Sequence, residues 1–228
     1  MSDNPFKMIK TYNTNNRHRI RYLDEEEMKA LLANCPKSIK PLVLVAANTG
    51  MRRGEIFNLK WTDVDFTNKL LYIRDSKSGK QRSIPLNEML SNLFINLRID
   101  NKGGIYVFPG RRGPRFVNIQ RPFKKAVEGA GIKDFRFHDL RHTFASHLVM
   151  KGVNLKAVQE LLGHADLRMT MRYSHLDPNY KRQAVELIGA DIERLSGSRD
   201  SSHLVATGVL AGSEKWQVTK NDSNIKDI

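Results

Sequence analysis

One cysteine, Cys35, stands in a chain of 228 residues. A disulfide needs two, and a cysteine-based zinc cage needs more, so neither framework holds this chain together. No apolar run approaches the roughly 18 residues of a membrane-spanning helix, and the best stretch, Pro41 to Asn48, has the length of a core helix. The opening segment MSDNPFKMIK has charges with no apolar block behind them, which is not a secretion signal. A P-loop is also missing. Ser78-Gly79-Lys80-Gln81 lacks both the upstream glycine and the following Ser or Thr. There is no internal repeat. These absences point to a soluble, intracellular protein without a membrane partner.

Base, by contrast, is abundant. Lys and Arg number 38 against 24 Asp and Glu, a formal net charge of +14. Residues 196–228 carry as many acids as bases, so the whole excess lies in residues 1–195. A surplus of this size implies a polyanionic partner, with nucleic acid the leading candidate. The neutral end is rich in Ser, Gly, Asn and Asp and reads as a flexible tail able to dock on a partner protomer. Residues 1–21 read as a basic linker that ends in Arg17, His18, Arg19 and Arg21.

Between these ends the pattern is mainly α with a small three-stranded antiparallel sheet, an α+β class. Asp24 is placed to cap a helix through Asn34, with Glu25, Glu26 and Glu27 where the helix dipole favours acids. Ser38 is placed to cap a second helix, which Thr49-Gly50 breaks, and a third covers Arg53 to Leu59. Lys69 to Arg74 and Arg82 to Leu86 read as a hairpin across the polar turn Asp75 to Lys80. Ile105 to Phe108 is the expected third strand. Further helices are expected at Asn87–Arg98, Asn118–Gly129, His138–Lys151, Leu155–Leu162, Asp166–His175 and Asn179–Leu195.

Several polar groups then invite chemistry. In Thr49-Gly-Met-Arg52-Arg53-Gly-Glu55, a glycine ends one helix and Arg52 opens the next. A guanidinium there adds a planar fork of donors to free amides that already favour anions. For a lone arginine, a surface role is the commoner one. In His138-Asp-Leu-Arg141-His142, the i, i+3 spacing turns His138 and Arg141 to one helix face. The H-x-x-x-H spacing also fits zinc. The zinc protease motif, however, needs Glu after the first His, where Asp139 stands. His142 opens the apolar run Phe144, Ala145, Leu148, which suits a buried structural histidine. Downstream, Gly163 ends a helix and sets His164 at its turn, and Tyr173 follows near the end of the next helix. Each residue alone is weak evidence; their order is the signal.

That order resembles the tyrosine recombinase family, the phage integrases and Xer-like recombinases. The family's early arginine in a T-G-x-R context, with an acid three residues on, matches Arg52 and Glu55. Its hairpin lysine, followed by basic residues and an apolar-Pro-Leu run, matches Lys77-Ser-Gly-Lys80-Gln-Arg82-Ser-Ile-Pro85-Leu86. The H-x-L-R-H box is His138 to His142, the L-G-H box ends at His164, and Tyr173 takes the nucleophile's place. The resemblance runs from about Asn4 to Leu195.

The resemblance implies the catalytic-domain fold of that family and site-specific cleavage and rejoining of double-stranded DNA. A tyrosine attacks a phosphodiester, forms a 3′-phosphotyrosyl bond and releases a 5′-hydroxyl. In that chemistry Arg52, Arg141 and His164 would bind the phosphate, a kind of stabilisation worth about 3–4 kcal/mol per donor. His138 would be the base for Tyr173, Lys77 the general acid for the leaving oxygen, and Glu55 a support for the arginines. No cofactor is implied, because the covalent link conserves the bond energy, and no metal, because the two arginines and the lysine would do its electrostatic work. Arg17, Arg19 and Arg21, and Arg111, Arg112 and Arg115 in a glycine-rich loop, are candidates for phosphate contact, with solvated charge as the alternative.

The resemblance divides the chain into a linker at 1–21, a catalytic domain at 22–195 and the tail at 196–228. The family's N-terminal core-binding domain is not represented. Weak, salt-sensitive DNA binding is therefore expected, with a monomer in solution and a tetramer on DNA. The expected location is the cytoplasm of a bacterial or phage-infected cell, near the nucleoid. Three alternatives stay open: a DNA-binding protein of this fold without strand transfer, topoisomerase-like relaxation, and a zinc hydrolase.

Overall fold

The computed structural model describes residues 20–74, 81–101, 103–110, 115, 116, 118–177 and 180–196. Lys77, Arg17, Arg19, Arg111, Arg112 and the tail beyond Ser196 lie outside the described residues.

Helix α1 (Glu25–Asn34) starts in a capping box, where Asp24 accepts the Glu27 amide at 2.8 Å and Glu27 accepts the Asp24 amide at 3.3 Å. Helix α2 (Lys40–Thr49) buries Leu42, Val43, Val45 and Ala46, as its apolar run requires. Ser38 does not cap it. The N-cap is Ile39, and a turn closed by the Pro36 carbonyl, 3.0 Å from both the Ile39 and Lys40 amides, leads into the helix instead. Gly50 ends α2 in the left-handed conformation, φ +61°. A Cβ there would lie 2.5 Å from the Phe144 ring, so glycine is required by both dihedral and space. Helix α3 (Arg53–Phe57) is short.

The sheet is antiparallel in the order β1 (Val64–Asp65), β2 (Leu70–Ile73), β3 (Arg82–Pro85). Leu71 pairs with Val64 on one side and Ile84 on the other, and all three are buried. The third strand is thus Val64–Asp65 and not Ile105 to Phe108. Asp65 turns the chain by accepting the Asn68 amide at 2.9 Å, and Lys69 takes φ +52°, which folds 64–65 back on β2. The 105–107 stretch pairs elsewhere, with Trp61 donating to the Ile105 carbonyl at 3.1 Å and Val107 to the Leu59 carbonyl at 2.9 Å.

Helices α4 (Glu88–Asp100), α5 (Gln120–Gly129), α6 (Asp139–Met150) and α7 (Leu155–Leu162) follow. Asn87 caps α4 and Asn154 caps α7, and Gly163 ends α7 at φ +65°. The helix expected over Asp166–His175 is broken. Helix α8 (Arg168–Met171) stops early, Tyr173 donates to the Thr170 carbonyl at 3.0 Å, and a 3-10 turn, Ser174–Leu176, completes the segment. That tighter winding accompanies burial of the Tyr173 ring, which is 1% exposed.

One large core joins α1 to α5 with the sheet, and a smaller one gathers Ala145, Val149, Val158, Leu162 and Tyr173. The incoming chain is tied to α6, because Leu23 donates to Thr143 at 3.1 Å and accepts from His147 at 2.7 Å. These elements form one compact unit that ends at Tyr180; a second begins at Lys181 and holds nearly all of α9 (Tyr180–Ser196). No described helix is long and apolar enough to cross a membrane.

Candidate active site

Two helix ends build the site. Gly50 closes α2 and Gly163 closes α7, and terminal carbonyls at such ends lack helical partners and favour cations. Arg141, in the first turn of α6 and 4% exposed, donates to both ends at once. Its Nη1 lies 2.7 Å from the Gly50 carbonyl and its Nη2 2.7 Å from the Leu162 carbonyl. Burial and the nearby Arg52 lower its pKa to about 10, so it stays charged at neutral pH.

Arg52 stands at the N-cap of α3. Its Nη1 donates to Glu55 at 2.9 Å and its Nη2 reaches the Gly163 carbonyl at 3.4 Å. Glu55 is the hub. It also accepts the Arg52 amide at 2.8 Å and two bonds from Arg82, at 3.1 and 2.7 Å. Burial pushes the Glu55 carboxyl upward, but bonds and charge from Arg82, then Arg52, outweigh it and hold the group below its usual range. Arg82, itself 7% exposed, anchors the far side by donating from Nε to the Leu161 carbonyl at 2.9 Å. Sequence reasoning counted Arg82 only as a basic residue of the hairpin. The signal that could have singled it out is its place on β3 beside the buried Ile84, where a charge needs a partner.

His164 follows Gly163 and shares a hydrogen bond with the buried Thr170 through Nδ1 at 2.8 Å. Burial and then Arg141 lower its pKa to about 4. The Tyr173 hydroxyl lies 2.6 Å from Nδ1 of His142. The histidine on the phenol is therefore not His138, the expected base. His138 is the exposed N-cap of α6, and its ring meets the His142 ring edge-on at 5.4 Å. One turn further along, His142 faces inward. Arg172 adds an unforeseen cation, with its guanidinium 5.9 Å from the Tyr173 ring centroid and its buried Nε without a hydrogen-bond partner.

The structure thus gathers Arg52, Glu55, Arg141, His164 and Tyr173 in one place from separate stretches of sequence, and adds Arg82, His142 and Arg172. Arg21 is held by the Glu27 carboxylate, and Arg115 is exposed. Among the described residues no group of three His, Cys, Asp or Glu side chains is placed to share a metal ion.

The model of the phage integrase family matches residues 21–180. The chain belongs to the phage integrase family. It is 33% identical over 199 residues to the integrase of Salmonella phage P22, covering 80% of this chain and 51% of that protein. It is 34% identical over 173 residues to the tyrosine recombinase XerA of Pyrococcus furiosus, covering 72% and 60%. The chain therefore spans about half to three fifths of these relatives. Among solved structures, it matches XerA recombinase with a TM-score of 0.62 at 31% identity, over 78% of this chain and 66% of that one. The catalytic domain of bacteriophage HP1 integrase matches over its whole length and 80% of this chain, with a TM-score of 0.59 at 29% identity.

The buried His142 and half-buried His164 give this integrase-family chain a defined acid sensitivity. Burial, then Arg172, lowers the His142 pKa to about 4, and His164 behaves alike. A histidine of the unfolded chain titrates near 6.5, so between these values the unfolded state binds more protons. The stability from keeping both rings neutral is complete above about pH 6.5 and is lost as pH falls toward 4, on the order of 3 kcal/mol for His142 alone. Glu55 adds a loss in the same direction at lower pH. Urea midpoints measured from neutral pH downward should fall through this window, and a flat profile would contradict the assignment.

Proposed function

We infer that this chain cleaves and rejoins DNA strands at specific sites through a covalent link between Tyr173 and a 3′ phosphate. What supports the reading is the convergence of Arg52, Arg141 and His164 with the buried Tyr173 on the ends of α2 and α7. A phosphoryl-transfer transition state gathers charge on its non-bridging oxygens, and fixed guanidinium donors meet that charge without reorganising. Arg52 and Arg141 bind these oxygens, and His164 adds a donor. Glu55 fixes Arg52 and Arg82. His138, at the rim, supplies an imidazole near the phosphate. Lys77 protonates the leaving 5′-oxygen. The phosphotyrosyl bond conserves energy for the return step, so no nucleotide cofactor enters.

The partner is double-stranded DNA. One solved relative, the XerH site-specific recombinase at 25% identity and a TM-score of 0.58, is described as bound to its difH substrate in a pre-cleavage complex. Arg115 contacts backbone phosphate, joined by Arg17, Arg19, Arg111 and Arg112. The free chain is a monomer, and four protomers assemble on DNA to exchange strands.

The test is a pool of nicked duplexes randomised around the nick, so that the fragment beside the cleaved bond diffuses away. A protein–DNA band that survives denaturation is expected, and it should vanish in Tyr173→Phe. No band across the pool, or a band that persists in that variant, would overturn the reading.

A further inference from the structure

We propose that His142 is the proton acceptor for Tyr173 in the cleavage step. This rests on the reading of Tyr173 as the nucleophile. The 2.6 Å contact between the Tyr173 hydroxyl and His142 Nδ1 is a side-chain hydrogen bond that joins two buried groups. A general base must lie within hydrogen-bond reach of the proton it takes, and His142 meets this in the free protein. His138 makes no such bond; its ring touches the edge of the His142 ring.

The balance is simple. As Tyr173 Oη bonds to phosphorus, its proton passes to Nδ1 of His142. The phosphorus–O5′ bond breaks, and that oxygen takes a proton from the general acid. On religation each proton returns. For His142 to accept at Nδ1, its other nitrogen must carry the ring proton, which is the neutral tautomer.

The surroundings favour that form before the step and oppose the charge the ring takes up during it, so the 2.6 Å contact is what carries the assignment. The groups acting on His142 are Arg172 from the segment after α8, and His138 and Arg141 from the start of α6. All carry or can carry positive charge, and with burial they disfavour a protonated ring. The acceptor therefore stays unprotonated well below neutral pH. The same cations, Arg172 and then Arg141, act against the burial that raises the Tyr173 pKa. Arg172, which forms no ion pair among the described residues, thus makes the phenol easier to ionise while keeping the imidazole unprotonated before the step.

The experiment measures single-turnover formation of the covalent band against pH for the wild-type chain, His142→Asn, His142→Gln and His138→Asn. At neutral pH both His142 variants should lose about 10²- to 10⁴-fold in rate. They should regain rate as pH rises, because hydroxide replaces the missing base. His138→Asn should lose rate by a factor that does not depend on pH. A merely structural role for His142 would give a pH-independent loss. The proposal is overturned by wild-type rates in the His142 variants, by a loss equal at every pH, or by pH-dependent recovery in His138→Asn instead. If the variants do not fold, ¹⁵N spectra of the wild-type histidines decide, since Nδ1 of His142 should read as an unprotonated acceptor. A proton on that nitrogen would overturn the proposal. Absence of any band with the wild-type chain would instead count against the functional reading.

Discussion

Glu55→Ala should lower the stability of the chain by about 3–5 kcal/mol, the cost of removing one partner of a buried ion pair. The carboxylate is 4% exposed and accepts the Arg52 amide, the Arg52 guanidinium and both terminal nitrogens of Arg82. Arg82 is 7% exposed and, among the described residues, would keep only its bond to the Leu161 carbonyl. Its buried charge would then lack compensation. Glu55→Gln keeps the shape and one acceptor oxygen but not the charge, so its loss should be smaller. Urea denaturation of both variants reads the difference, and equal, small losses would show that Arg82 is solvated some other way. The same network explains why cleavage should suffer too, since Arg52 would lose the group that fixes its fork.

Much of this arrangement was legible in the sequence, and the failures share a cause. Helix boundaries set by local chemistry came through: the Asp24 cap and the glycines at Gly50 and Gly163. The arginine and histidine boxes carry their own order, so Arg52, Arg141, His164 and Tyr173 could be named before any fold. Long-range pairing was less readable. A two-residue strand such as Val64–Asp65 is too short for a period to register, while Ile105 to Phe108 has strand composition but pairs with 59–61 outside the sheet. Which histidine of the box lies against the Tyr173 hydroxyl was unreadable for the same reason. Residues at i and i+4 share a helix face, and only the packing of α6 against α7 and the Tyr173 turn decides which imidazole faces inward. Arg82 was visible as a charge but not as a buried one, because its partner stands 27 residues away.

The second large effect is expected at Arg141. Arg141→Lys should reduce the rate of covalent-complex formation by about 10²- to 10³-fold, the loss seen when one preorganised donor to a transition-state oxyanion is removed. The substitution keeps the charge, so electrostatics alone would predict a mild result. Geometry predicts otherwise. Two separate nitrogens of Arg141 hold the Gly50 and Leu162 carbonyls, each at 2.7 Å, and the guanidinium has further N–H donors that these carbonyls leave over. An ammonium is a point charge on a flexible stem, and it cannot reproduce a planar fork that joins two helix ends while also facing a phosphate. Lysine would have to choose between the carbonyls and the substrate. If it stays on the carbonyls, the chain keeps its fold and loses rate. If it turns to the phosphate, the ends of α2 and α7 lose their link and the melting temperature falls as well. Thermal melts run beside the rate measurement distinguish these outcomes, and a variant with wild-type rate and wild-type stability would mean that the charge of Arg141, not its shape, is what the site requires.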